Sequence, residues 1–135
     1  MRGQRALSKN DILHYLNLVN EKLKERNLHG EIVICGGAAL ALAYSARDST
    51  HDIDAVYKPK EQMDNIIQSI ANEHKITSQW LNDDVSMFIS ELPELTVTEY
   101  LSYSNLKVNI IGRYHPNSIL ESKKFADIAF KQAKQ

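Results

Sequence analysis

The sequence predicts an α/β or α+β domain, a small mixed β-sheet flanked by helices, and three observations predict it. Amphipathic helical stretches alternate with short β-branched runs in the order α-β-α-β-α-α-β-β-α. A glycine pair joins the first strand to a helix of small residues. No repeat, low-complexity segment or interdomain linker interrupts the 135 residues, so residues 1–135 read as one domain with a single core.

Each element has its own signal. Residues 8–28 read as a helix: Ser8 and Asp11 have capping-box spacing, Ile12, Leu16, Val19 and Leu23 form an apolar stripe, and Gly30 supplies the stop. EIVIC, 31–35, is a β-branched run expected as a buried strand. GAALALAYSA, 37–46, combines strong helix formers with side chains small enough to pack closely on a sheet. DIDAVY, 52–57, alternates as a strand does and is ended by Lys58-Pro59. Residues 60–74 form a second amphipathic helix with Met63, Ile66, Ile67 and Ile70 on one face. A shorter helix is expected from near Asn82, where Asp83 and Asp84 suit a first turn and Val85, Phe88 and Ile89 face inward. Two strands, 95–101 and 105–112, follow across Ser102-Tyr103-Ser104, and the stretch from Pro116 to about Lys131 is expected as a helix.

Composition narrows the function classes. A net charge of −1 provides no basic field for non-specific nucleic-acid binding. The single cysteine, Cys35, excludes an internal disulfide and fits a reducing compartment. No apolar run approaches the roughly 20 residues of a membrane span, and MRGQRALSKND lacks an apolar signal core. The expectation is a cytoplasmic chain with no membrane partner.

The stretch GGAALALAYSARDSTHDIDAV, 36–56, holds the candidate site. A strand entering Gly36-Gly37 and then a helix brings backbone N–H groups together, and a side chain there would obstruct a phosphate. The same pair also reads as a tight turn needing positive φ. On a strand, Asp52 and Asp54 project from one face while Ile53 and Ala55 project from the other. Two such carboxylates, about 7 Å apart, repel unless something positive lies between them. A divalent ion does that, and Mg²⁺ accepts one or two carboxylates plus substrate phosphates. The pattern also fits a strand with one face in water.

Taken together, Gly36-Gly37-Ala38-Ala39-Leu40 followed by Arg47-Asp48-Ser49-Thr50-His51-Asp52-Ile53-Asp54 resembles the signature of the nucleotidyltransferase superfamily. Within it, the stretch resembles small prokaryotic members, including AbiEii toxin-like relatives, and the resemblance covers about residues 30–90. Trp80-Leu81-Asn82-Asp83 also looks like a W-L-N-D segment of one branch. The resemblance implies a metal-dependent transfer of a nucleoside monophosphate from an NTP to a hydroxyl of an unknown acceptor, whether RNA, protein or small molecule. Asp52 and Asp54 would be catalytic and hold Mg²⁺ or Mn²⁺; Gly36, Gly37, Arg47, Thr50 and Lys123 would bind the nucleotide. Lys123 is carried over from Ile119-Leu120-Glu121-Ser122-Lys123, which resembles a triphosphate-holding segment, and it also reads as a solvated helical lysine.

The family's third carboxylate, a base or further metal ligand, is expected on Leu106–Ile111, where Asn109 stands instead; an amide cannot take a proton at neutral pH. Glu99 on the preceding strand is the substitute to consider. The alternative function is therefore a catalytically weak or inactive nucleotide-binding protein, either a regulator or one partner of a toxin–antitoxin pair; a partner protein or a second copy of itself is the corresponding expectation. Among the neighbouring residues, Ser49 and Thr50 also read as shaping the turn, Arg47 as a surface ion pair, and Cys35 as a small core residue.

Overall fold

The computed structural model describes residues 6–43, 49–85 and 97–111. Their elements are β1 (Leu7–Ser8), α1 (Lys9–Glu25), β2 (Gly30–Cys35), α2 (Gly36–Leu42), β3 (Ser49–Thr50), β4 (Ile53–Lys58), α3 (Lys60–His74), β5 (Leu81–Asn82), β6 (Val97–Ser102) and β7 (Leu106–Ile111). Five strands form one mixed sheet in the order β5-β4-β2-β7-β6, and β1 pairs with β3 separately. Strand β2 is antiparallel to β4 and parallel to β7. The α/β reading with a small mixed sheet holds.

Alternation along the strands divides the sheet into two faces. Ile32, Ile34, Ile53, Ala55, Val108 and Ile110 point to one side and are fully buried. Against them lie Ile12, Leu16, Val19 and Leu23 of α1 and Met63, Ile66, Ile67 and Ile70 of α3, the two stripes read from helical periodicity. All seven residues of α2 are buried as well, which explains a helix built only from Gly, Ala and Leu. The opposite face carries Glu31, Val33, Asp54, Val56, Lys58, Lys107 and Asn109, a polar and only partly covered surface.

Helix α1 begins where its capping box places it. The Ser8 hydroxyl accepts from the Asp11 N–H at 3.2 Å, and the Asp11 carboxylate accepts from the Ser8 N–H at 3.0 Å. Its end differs from expectation. Asn27, not Gly30, takes the left-handed conformation (φ 57°) that stops the helix, and Gly30 already belongs to β2. The glycine is there for packing: a Cβ on it would sit 3.0 Å from Leu23 Cδ1 and 3.2 Å from Met63 Sδ, between the two large helices.

The helix expected from Asn82 is a second difference. Leu81–Asn82 is instead a short strand paired in parallel with Ile53 and Asp54. Trp80 sets this arrangement. Its indole N–H donates to the Ile67 carbonyl at 3.0 Å, its own carbonyl accepts from the Ile53 N–H at 2.8 Å, and its ring is 1% exposed. A ladder offered by β4 outweighs the weak local helix signal of the two aspartates. Strand β4 itself begins at Ile53, so Asp52 lies in the bend before it. The two-residue pair β1–β3 had no signal at the sequence level. The end of the 37–46 helix, the body of the one expected beyond Val85 and the 116–131 helix lie outside the described residues.

Trp80→Phe keeps the aromatic packing and removes the indole N–H, leaving the buried Ile67 carbonyl without that partner. We expect a loss of about 1–3 kcal/mol in urea denaturation. An unchanged midpoint would show that the bond does not hold β5 in place.

Candidate functional site

Strand β2 ends at Cys35 in extended conformation, and Gly36 then takes φ 57°, a left-handed geometry that a glycine adopts without the Cβ penalty. Gly37 continues directly into α2, and both glycines are buried. The register of β2 with β4 pairs Cys35 with Asp54. The glycine turn and the D-x-D segment, 16 residues apart in sequence from Gly36 to Asp52, therefore meet at the same end of the sheet.

Asp54 is 9% exposed and lies on the polar face; Asp52, in the bend, is partly buried. The Thr50 hydroxyl donates to the Asp52 carbonyl at 3.1 Å. Thr50 is anchored in turn by the pairing of β3 with Leu7, so it shapes the backbone that enters the acidic segment. Arg47 and Lys123 lie outside the described residues.

Cys35 is fully buried beside Asp54. Burial, and secondly the aspartate's negative charge, push its thiol up to about 12, so it is neutral at any physiological pH. Its S–H donates to the Val33 carbonyl at 3.7 Å. It is a core residue rather than a nucleophile.

The position expected for the third carboxylate is displaced. Asn109 shares the polar face with Asp54, yet its register partner on β2 is Val33, two residues before Cys35. Two strand spacings sideways and two residues along put its Cα roughly 12 Å from that of Asp54. Its amide donates to a Glu31 carboxylate oxygen at 3.0 Å. Glu99 pairs with Asn109 from the outer strand β6, one strand further away, and its carboxylate accepts from the Ser102 hydroxyl at 2.5 Å.

The residue that does stand beside Asp54 is Asn82, its register partner on β5, 8% exposed. The Asn82 amide donates to the Gln79 carbonyl at 3.0 Å, and its oxygen accepts from the Asp84 N–H at 3.2 Å, which closes the turn after β5. Its signal in the sequence is the W-L-N-D segment, whose aspartates also suit the first turn of a helix. Among the described residues, no three His, Cys, Asp or Glu side chains form a metal-binding group.

A second polar cluster lies on the β5 side, further along β4 from Asp54. Tyr57 donates to Asp64 at 2.6 Å, and Lys60 binds Asp64 and, at 3.3 Å, Asp83. Burial, the bond to Asp64 and the nearby Asp83 and Asp84 all push the Tyr57 hydroxyl well above its ordinary value. Partial burial pulls Asp64 upward, but Lys60 and Tyr57 outweigh it and hold the carboxyl below its usual range. These groups satisfy one another.

A family model described as "Nucleotidyltransferase of unknown function (DUF6036)" matches residues 12–103, more than half of the chain. No curated protein and no solved structure matches the chain. Among the described residues no helix is long and apolar enough to cross a membrane.

The state of Cys35 has a direct readout. A buried, neutral thiol resists iodoacetamide in the native protein at pH 8 and reacts once guanidinium unfolds the chain. Rapid native labelling at a rate like that of free cysteine would remove Cys35 from the core.

Proposed function

The chain belongs to this nucleotidyltransferase family, and on that premise we propose that it transfers a nucleoside monophosphate from an NTP to a hydroxyl acceptor, with Mg²⁺ or Mn²⁺ held by Asp52 and Asp54. The observation that carries the reading is the pairing of Cys35 with Asp54, which brings the Gly36-Gly37 turn to the acidic segment. The donor set fits such an ion: two carboxylates on successive alternate residues leave the remaining positions for substrate phosphates and water. When bound, the metal supplies positive charge against the phosphate oxygens.

The chain's own groups have distinct tasks in this reading. The Gly36-Gly37 backbone receives the triphosphate, because no side chain stands in its way. Thr50 holds the backbone of Asp52 through its hydroxyl, and Arg47 and Lys123 neutralise phosphate charge. The acceptor oxygen bonds to the α-phosphorus while the bond to the bridging oxygen breaks and pyrophosphate leaves. The acceptor's proton passes to water in the absence of an assigned base.

A second reading is favoured by a specific observation. The register neighbours of Asp54 are an amide and a thiol, Asn82 and Cys35, and neither takes a proton at neutral pH. A general base commonly contributes about 10²–10⁴-fold. A member without one binds nucleotide and turns over slowly, which suits a regulator or one half of a toxin–antitoxin pair.

Mg²⁺ with an NTP should raise the melting temperature, since a ligand that binds only the native state stabilises it by mass action. Asp52→Asn combined with Asp54→Asn should abolish the rise; a shift that survives would take the metal out of the mechanism. Pyrophosphate release separates the candidate bases. Because Asn109 and Glu99 lie away from Asp54, Asn109→Asp and Glu99→Gln should each leave the rate within about twofold of the wild type. A loss of about 10²-fold or more in Glu99→Gln would make Glu99 the base after all.

A further inference from the structure

The far end of the same strands carries a different chemistry. A cleft of about 550 Å³ opens where β2 and β7 begin and β4 and β6 end, about 13 Å along β4 from Asp54. Its volume is in the range of small-molecule sites. Lys58, Glu31 and Lys107 are consecutive register partners across β4, β2 and β7, so the two lysines flank the glutamate on the polar face. Glu31 is already engaged: one carboxylate oxygen lies 3.5 Å from the Lys58 ammonium, and the other accepts from Asn109. Lys107 is exposed and has no ion pair with any described residue. Two cations against one committed carboxylate leave the cleft with an excess of positive charge.

The walls are held in place before any ligand arrives. The Asn105 N–H donates to the Asn20 side-chain oxygen at 2.7 Å, its amide group donates to the Leu28 carbonyl at 2.9 Å, and its carbonyl accepts from the Gly30 N–H at 2.8 Å. The Tyr103 N–H donates to the Leu106 carbonyl at 2.8 Å. These bonds tie the β6–β7 connection to α1 and to the start of β2. Binding therefore does not have to order the wall, which lowers its entropic cost. Pro59 and Tyr103 line the cleft beside the charged groups and offer an apolar surface.

We propose that this cleft is a binding site for a small organic anion, separate from the Asp54 end of the sheet. The ligand's phosphate or carboxylate contacts the Lys107 ammonium with support from Lys58, and its apolar body lies against Pro59 and Tyr103. An ammonium recognises either anion as a point charge, so the two sources share one chemistry. The proposal does not depend on the transfer reaction.

Titration of the ¹⁵N-labelled chain with phenyl phosphate and, separately, with benzoate tests it, using benzyl alcohol and potassium chloride of matched ionic strength as controls. Saturable amide shifts at Gly30, Leu106 and Lys107 are expected with at least one anion and with neither control, and the anion that gives them identifies the headgroup. Lys107→Ala, a surface change that leaves the melting temperature in place, should weaken binding about tenfold or more, while Lys107→Arg retains it. Asp54→Asn should leave the affinity unchanged. The proposal is overturned by shifts that chloride reproduces, by none with either anion, by full affinity in Lys107→Ala, or by shifts centred on Gly36 and Asp54 instead.

Discussion

The antiparallel ladder between β2 and β4 is the constraint on which the remaining arrangement rests. Strand β2 lies in the middle of the sheet, bonded to β4 on one side and β7 on the other, and its last residue is the one that pairs with Asp54. Because side chains alternate with a period of two, a slip of one residue would turn Asp54 toward the helices and Ile53 or Ala55 toward the polar face. A charged carboxylate among Ile34, Ile66 and Ile70 would be far costlier than any local gain. The hydrophobic face therefore sets the register, and the register sets where the acidic segment meets the glycine turn.

The helices enforce the same choice from the other side. Met63, Ile66 and Ile70 of α3 and Leu16 and Leu23 of α1 are fully buried over the strand positions that alternate with Asp54 and Glu31. Gly30 lets those two helices approach each other at the base of β2, where a methyl group would press on Leu23 and Met63. At the opposite end, α2 stays close to the sheet because it carries no side chain larger than leucine. Packing thus fixes the backbone at both ends of β2, one end next to Asp54 and the other next to the cleft between Lys58 and Lys107.

The polar face is consequently graded. Acidic and amide groups, Asp54 and Asn82, occupy the end beside the glycine turn, and the lysines occupy the other, with the Glu31–Asn109 bond between them. Anionic ligands at the two ends meet different requirements. Near Asp54 a phosphate needs a cation to approach two carboxylates, whereas near Lys107 an anion is attracted directly. That difference in charge is why the two ends are expected to select different ligands although they share strands β2 and β4.

Much of this was legible in the sequence because it depends on local pattern. The apolar stripes of α1 and α3, the Ser8–Asp11 capping box, the β-branched run of β2 and the glycine turn each come from the residues' own spacing, and 60–74 is recovered to its ends. The motif residues Gly36, Gly37, Asp52 and Asp54 were visible for the same reason. What depended on strands remote in sequence was not. Nothing local says that Asn109 is level with Val33 rather than Cys35, that Leu81–Asn82 pairs with β4 in place of starting a helix, or that Asn27 relieves Gly30 of ending α1. Register is decided by the burial of whole faces at once, and two-residue strands such as β1, β3 and β5 exist only because a partner strand supplies their hydrogen bonds. The residue types of the candidate site therefore came from sequence alone, whereas the neighbours of Asp54 were decided by tertiary structure, since pairing across the sheet is a property of the folded core and not of any segment in it.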